Sequence, residues 1–194
     1  MAKGFTPQEQ DIIRVKLKEA AWACAGSVGM RKTTVEQLAR AADISKGAFY
    51  RFYDSKELLF FQILEELHTK IYQAAADALQ KQEDSAPAQR AAAAVLTACQ
   101  VAEEAGMMGF LEQDVAYLLR RIPEEVQREH YHSDEVHVRE LLESAGLTPR
   151  GGVALAAAVV RGLMLTISHR HEIGALYPQV LETLVHGACR ELFS

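Results

Sequence analysis

The sequence predicts an all-α fold, in which a small N-terminal three-helix domain with a helix-turn-helix precedes a larger helical domain. Three observations carry that expectation. Apolar residues recur at steps of three and four along most of the chain, with no sustained two-residue alternation and no internal repeat. Capping residues, prolines and glycines fall where helices of ordinary length would start and stop. Charge also changes along the chain: residues 1–56 hold ten Lys or Arg against six Asp or Glu, and residues 57–194 hold eleven against twenty. The net charge of −5 therefore hides a basic end. An acidic remainder aids solubility, and it also repels a polyanion everywhere except at that end.

The first helix is expected from Thr6 or Pro7 to Val28, with Thr6 as cap, Pro7 in the first turn and Gly29 as the stop. Ile13, Leu17, Ala20 or Ala21, Cys24 and Val28 make its buried seam, and Lys3, Arg14, Lys16 and Lys18 give this end a positive cast. The second helix, Thr33 to Ala42, opens on a Thr33-x-x-Glu36 capping box and turns Val35, Leu38, Ala39 and Ala42 to one side. Asp43 breaks it, because a short acidic side chain tolerates the left-handed backbone of a tight turn, and Ser45 caps the third helix.

In that third helix Phe49 and Phe52 point inward, which leaves Lys46, Gly47, Ala48, Tyr50, Arg51 and Tyr53 outward. This outer face is basic, aromatic and thin, as a helix entering the major groove of double-stranded DNA has to be. Gly47 and Ala48 allow close approach and Ala48 suits a thymine methyl, while Lys46 and Arg51 reach phosphates or guanine edges. The hydroxyls of Thr34, Tyr50 and Tyr53 can donate to phosphate oxygens, and Lys56 sits where a helix start already favours an anion.

The fourth helix is expected from Asp54 or Ser55 to about Gln82, with Leu58, Leu59, Ile63, Leu67 and Ile71 as its stripe, and the run Lys81–Pro87 as a loop. An alanine-rich helix from Gln89 to Ala105 follows, interrupted at Gly106-Met107-Met108-Gly109. Helical pattern resumes from Phe110 to Arg121, then from Pro123 to about Ala145, where Gly146 is a stop signal. Two long helices close the chain, Thr148 to His171 and Tyr177 or Pro178 to Phe193, with more apolar surface than one stripe needs. Surplus apolar surface implies a partner. The domains expected are 1–54 and 55–194.

The order of residues in the first third resembles the DNA-binding domain of the TetR/AcrR family of bacterial transcriptional regulators. The likeness rests on Ala20-Ala21, Gly29, Thr33-Thr34-Val35, Leu38-Ala39, Ala42, Ile44-Ser45-Lys46-Gly47, Phe49-Tyr50, Phe52 and Ser55-Lys56-Glu57-Leu58-Leu59. Two positions depart from the family pattern: Asp43 stands where glycine is common, and Ala25 where a bulky aromatic is usual, leaving volume for Trp22, Met30 or Phe52 to refill.

The resemblance implies a regulator, most simply a repressor, that binds a palindromic DNA operator through Thr33, Thr34, Ser45, Lys46, Gly47, Ala48, Tyr50, Arg51, Tyr53 and Lys56. It implies a homodimer built from the last two helices, for which Leu155, Val159, Gly162, Leu163, Leu181, Leu184, Val185 and Ala188 are the candidates. It also implies a small-molecule effector that releases DNA. Leu67, Ile71, Tyr72, Cys99, Met107, Met108, Phe110, Tyr117, Met164 and His169 are the apolar and aromatic candidates for its pocket.

The remaining signals are weaker. Cys24, Cys99 and Cys189 are odd in number and widely spaced, so they read as buried thiols and not as a disulfide framework. Met1-Ala2-Lys3-Gly4 precedes polar residues and not an apolar core, so a cytoplasmic protein is expected. The apolar run Val153–Val160 is short for a membrane span and ends at Arg161, so no membrane partner is expected.

No catalytic residue or cofactor is expected either. Two alternatives stand beside the regulator. Glu65-x-x-His68 and Glu129-x-x-His132, with Glu103 or Glu104 and Glu182, have the spacing of a di-iron enzyme, although the run QREHYHSDE around Glu129 is polar throughout. His130, His132, His137, His169 and His171 form clusters that metal sensing would need. The other alternative is a helical ligand-binding protein without DNA function.

Overall fold

The computed structural model describes residues 5–193, so Lys3 lies outside the described residues. Among those residues all regular structure is helical. The helices are α1 (Pro7–Ala25), α2 (Val35–Ala41), α3 (Lys46–Phe49), α4 (Lys56–Lys81), α5 (Pro87–Glu104), α6 (Met108–Gln113), α7 (Val115–Leu119), α8 (Glu124–Ser144), α9 (Val153–Leu165), α10 (Arg170–Ile173) and α11 (Tyr177–Phe193). Two compact units result: residues 5–66 with 106–122, and residues 67–105 with 123–193. The division expected at residue 54 falls within the first of them.

In the first unit Thr6 caps α1 through a capping box with Glu9, and Pro7 occupies the first turn. The buried seam is Ile13, Leu17, Ala21 and Ala25, a strict step of four. Against the sequence reading, Cys24 is only half-buried, because the seam runs through Ala21 to Ala25, and Val28 is 50% exposed, because it lies beyond the helix end at Ala25. Met30 is fully buried and belongs to the core of this unit, as Ala25 does. From α4, Leu59, Phe60, Ile63 and Leu64 enter the same core. Phe60 meets Phe110 of α6 with ring centroids 5.7 Å apart.

The helix expected from Phe110 to Arg121 is divided at Asp114, whose backbone sits at φ −109° between α6 and α7. The reason is tertiary: its side chain is committed to the turn after α1.

In the second unit α11 packs against α5 and α9, and α8 against α9. Alanines 91, 92, 94, 98 and 102 of α5 are buried, which is how an alanine-rich helix comes to lie close to a neighbour. The penultimate helix is shorter than expected. Gly151 (φ 76°) and Gly152 (φ 84°) delay its start to Val153, and after Leu165 the chain passes through 3-10 turns and α10 before α11. Taken as one stretch, Val153–Phe193 is long and apolar enough to cross a membrane by composition, its most apolar 18-residue window having a mean hydropathy of 1.3. Only 22% of that window is buried, which restates the surplus apolar surface expected of these helices.

Burial pushes the Cys99 and Cys189 thiols up to about 11. At pH 8 roughly a thousandth of each is thiolate, the reactive form. In the native protein a disulfide-exchange reagent is therefore expected to modify the half-buried Cys24 first, with Cys99 and Cys189 following only on unfolding, as peptide mapping of the labelled protein will show.

Candidate nucleic-acid interface

The interface is built on the segment joining α1 to α2. Thr34, not Thr33, caps α2: its hydroxyl accepts from the Gln37 backbone at 3.2 Å, and Gln37 Oε1 accepts the Thr34 N–H at 2.7 Å. Thr33 is 1% exposed, and its hydroxyl donates to the Gly29 carbonyl at 2.8 Å. It belongs to the interior, so of the threonine pair only Thr34 stays exposed.

Lys56, expected at phosphate, turns inward as well. Its Nζ donates to the carbonyls of Thr33 at 2.6 Å, Met30 at 2.9 Å and Arg31 at 3.3 Å. The other side of this segment is held by Asp114. One carboxylate oxygen accepts the Met30 N–H at 2.6 Å, and the other accepts Arg31 Nε at 2.8 Å. Gly29 sits at φ 80°, and a Cβ there would lie 2.8 Å from the same carboxylate, so the position requires glycine for both reasons.

Asp43 has the one positive φ among described non-glycine residues, 57°, as the sequence predicts for the turn. Lys16 donates to its carboxylate at 2.6 Å and holds that carboxyl below its usual range. The chain then enters α3, capped by Ser45, whose hydroxyl accepts the Ala48 N–H at 3.1 Å. Phe49 is fully buried and anchors the helix, while the half-buried Phe52 meets Phe5 at 5.8 Å.

Outside, Ser45, Lys46, Gly47, Tyr50 and Arg51 are exposed and Ala48 is half-buried. Lys46 Nζ lies 2.5 Å from Glu36 Oε1, which raises the lysine and lowers the carboxyl in pKa. Arg51 rides over the Phe5 ring at 5.2 Å. Tyr53 is half-buried with its hydroxyl donated to Gln62 at 2.7 Å, and burial pushes its phenol up, so it is held within the unit. Beside α3 opens a cleft of about 380 Å³, walled by Arg31, Thr34, Tyr50, Asp54, Ser55, Lys56 and Glu57 among others.

The candidates for an effector pocket are divided between the units. Met107 and Phe110 are fully buried in the first, where Met108 is half-buried and Tyr117 lies beneath the guanidinium of Arg121 at 4.9 Å. In the second unit Leu67 and Ile71 are buried, Tyr72 stacks on His137 at 4.7 Å, and Cys99 Sγ is 3.5 Å from Met164 Sδ. His169 is exposed beside Glu172.

Of the dimer candidates, Leu163, Leu181 and Val185 are buried within the second unit. Leu155, Leu184 and Gly162 are exposed, and Val159 and Ala188 half-buried. Of the residues weighed for a di-iron cage, Glu129, His132, Glu103, Glu104 and Glu182 are exposed, as on a solvated face, whereas Glu65 and His68 are half-buried and the His68 ring stacks on the buried His130 at 5.0 Å.

Residues 17–63 match the profile of the family described as bacterial regulatory proteins, tetR family. No curated protein matches the chain. Solved structures are similar over nearly its whole length. A TetR transcriptional regulator from Rhodococcus sp. RHA1 matches with a TM-score of 0.67 at 17% identity, covering 94% of this chain and 96% of the other. RolR in complex with resorcinol matches at 0.65 and 16%, covering 94% and 90%. NalD, the secondary repressor of the MexAB-OprM multidrug efflux pump in Pseudomonas aeruginosa, matches at 0.59 and 20%, covering 96% and 98%. At these identities the likeness is one of fold.

Proposed function

We propose that this chain, which belongs by its N-terminal domain to the TetR family of bacterial regulatory proteins, is a repressor that binds a palindromic operator as a homodimer and leaves it when a small molecule binds. The observation that carries the reading is α3. A Ser45 cap and the buried Phe49 hold a short helix whose exposed residues, Lys46, Gly47, Tyr50 and Arg51, are the types that reach phosphates and base edges. One helix of this length touches too few bases to select a site, and two copies spaced by a turn of DNA or a multiple read a palindrome. The exposed Leu155 and Leu184, with Leu165 and Leu176, supply apolar surface for the second copy.

Selection of bound sequences from a random DNA pool tests the reading. It should enrich an inverted repeat, and the Lys46→Ala, Tyr50→Ala double variant should enrich nothing; equal binding by that variant sinks it. Gly47 separates fold from recognition, because a Cβ there would meet only Ser45 Oγ at 4.0 Å. Gly47→Ala is therefore expected to keep its melting temperature and still lose DNA affinity, since the added methyl stands on the face that approaches the bases.

Leu184→Glu is expected to give monomers in analytical ultracentrifugation and weak operator binding. Because one structural neighbour holds resorcinol, small aromatics are the first effectors to add in the selection. Such a ligand must prefer the conformation that does not fit DNA.

A further inference from the structure

Arg31 falls outside the interface that the sequence outlines, yet it lines the same cleft as Thr34, Tyr50 and Lys56. Lys56 spends its three N–H groups on carbonyls, so of the two cations in the cleft it is Arg31 that has donors left to offer an anion, beside the two carboxylates of the same wall, Asp54 and Glu57. The Arg31 side chain is 54% exposed, while that of its partner Asp114 is 4% exposed. Arg31 reaches Asp114 through Nε, which leaves the two terminal amino groups of the fork with donors for a second acceptor. The guanidinium carbon lies over the Tyr117 ring, 5.9 Å from its centroid.

Asp114 does more than neutralise this charge. Its second oxygen fixes the Met30 N–H, so one buried carboxylate sets both the backbone of the turn and the direction of the guanidinium. We infer that Arg31 is a further contact to DNA phosphate and that Asp114, from the break between α6 and α7, is its positioning residue. The inference deepens the DNA-binding reading above and rests on it. The ligand is a phosphodiester oxygen of the duplex backbone, so the contact adds affinity without adding sequence preference.

The test is binding of the intact protein to the selected operator over a range of salt concentrations. Arg31→Gln is expected to lower affinity about fivefold for every DNA sequence and to reduce the slope of log K against log salt by about 1. Arg31→Lys should restore the slope and only part of the affinity, because it keeps the charge and loses the fork. Asp114→Asn keeps the size and the acceptor for Met30 but turns an N–H group toward Arg31. It should weaken binding in the Arg31 protein and add little in the Arg31→Gln protein.

An unchanged slope in Arg31→Gln overturns the phosphate contact, and additive losses in the double variant overturn the positioning role. Should Asp114→Asn melt early, the double-variant comparison is made below both melting transitions, and Arg31→Gln, whose amide can still donate to the buried Asp114, decides the phosphate contact. A wild-type protein that enriches no DNA at all is a failure of the DNA-binding reading itself, a result separate from both.

Discussion

Lys56→Met is expected to lose about 2–3 kcal/mol of stability in the first unit and to leave the salt dependence of DNA binding unchanged. Its ammonium donates to three carbonyls of the segment between α1 and α2, all within 3.3 Å. A charged donor shared among three acceptors is a strong arrangement, and methionine keeps the aliphatic stem while removing every donor. The carbonyls then compete poorly for water, because Met30 and Thr33 are buried.

A loss of that size corresponds to a fall of roughly 5–10 °C in melting temperature. The single tryptophan, Trp22 in α1, belongs to the same unit and reports it by fluorescence. Affinity should fall for all DNA sequences alike, because the turn that carries Arg31 and Thr34 loosens. The sequence alone points elsewhere, to Lys56 at a phosphate, and that role demands a slope smaller by about 1 with little change in melting. The two measurements separate the roles.

Phe49→Ala has the largest expected effect on the fold. The ring is fully buried, with Tyr50 edge-on at 5.5 Å and Tyr53 at 6.0 Å. Truncating a buried phenylalanine costs about 3–5 kcal/mol through lost transfer energy and the cavity left behind. The α3 helix has four residues and cannot persist without tertiary support. DNA binding should therefore vanish under conditions where Tyr50→Ala only weakens it, and the Trp22 transition should move down by on the order of 10 °C. A variant that melted with the wild type would show that α3 is held by something other than Phe49.

Much of the candidate interface's local structure is legible in the sequence because its determinants are local. Asp43 in the left-handed turn, Ser45 as the α3 cap and Phe49 as the anchor each follow from residues within four positions of one another, and each is found. Where two local solutions compete, the sequence misplaces the element. Thr33-Thr34 followed by Glu36-Gln37 permits a capping box at either threonine, and the Thr33 hydroxyl settles the choice by bonding Gly29. Val28 continues a helical pattern that the backbone abandons at Ala25.

What the sequence by itself determined was the all-helical class, the caps of α1 and α3 and the outward chemistry of α3, since propensity, capping and periodicity act over a few residues. Which charged groups are spent inside the molecule was decided only by tertiary structure. Lys56 reaches carbonyls 23 to 26 residues away, and Asp114 reaches the same turn from 83 and 84 residues away. A cation near a helix start and an acid in mid-chain look alike whether solvated or buried. The distinction comes from burial, which obliges a charge to find its donors or acceptors wherever the folded chain has brought them.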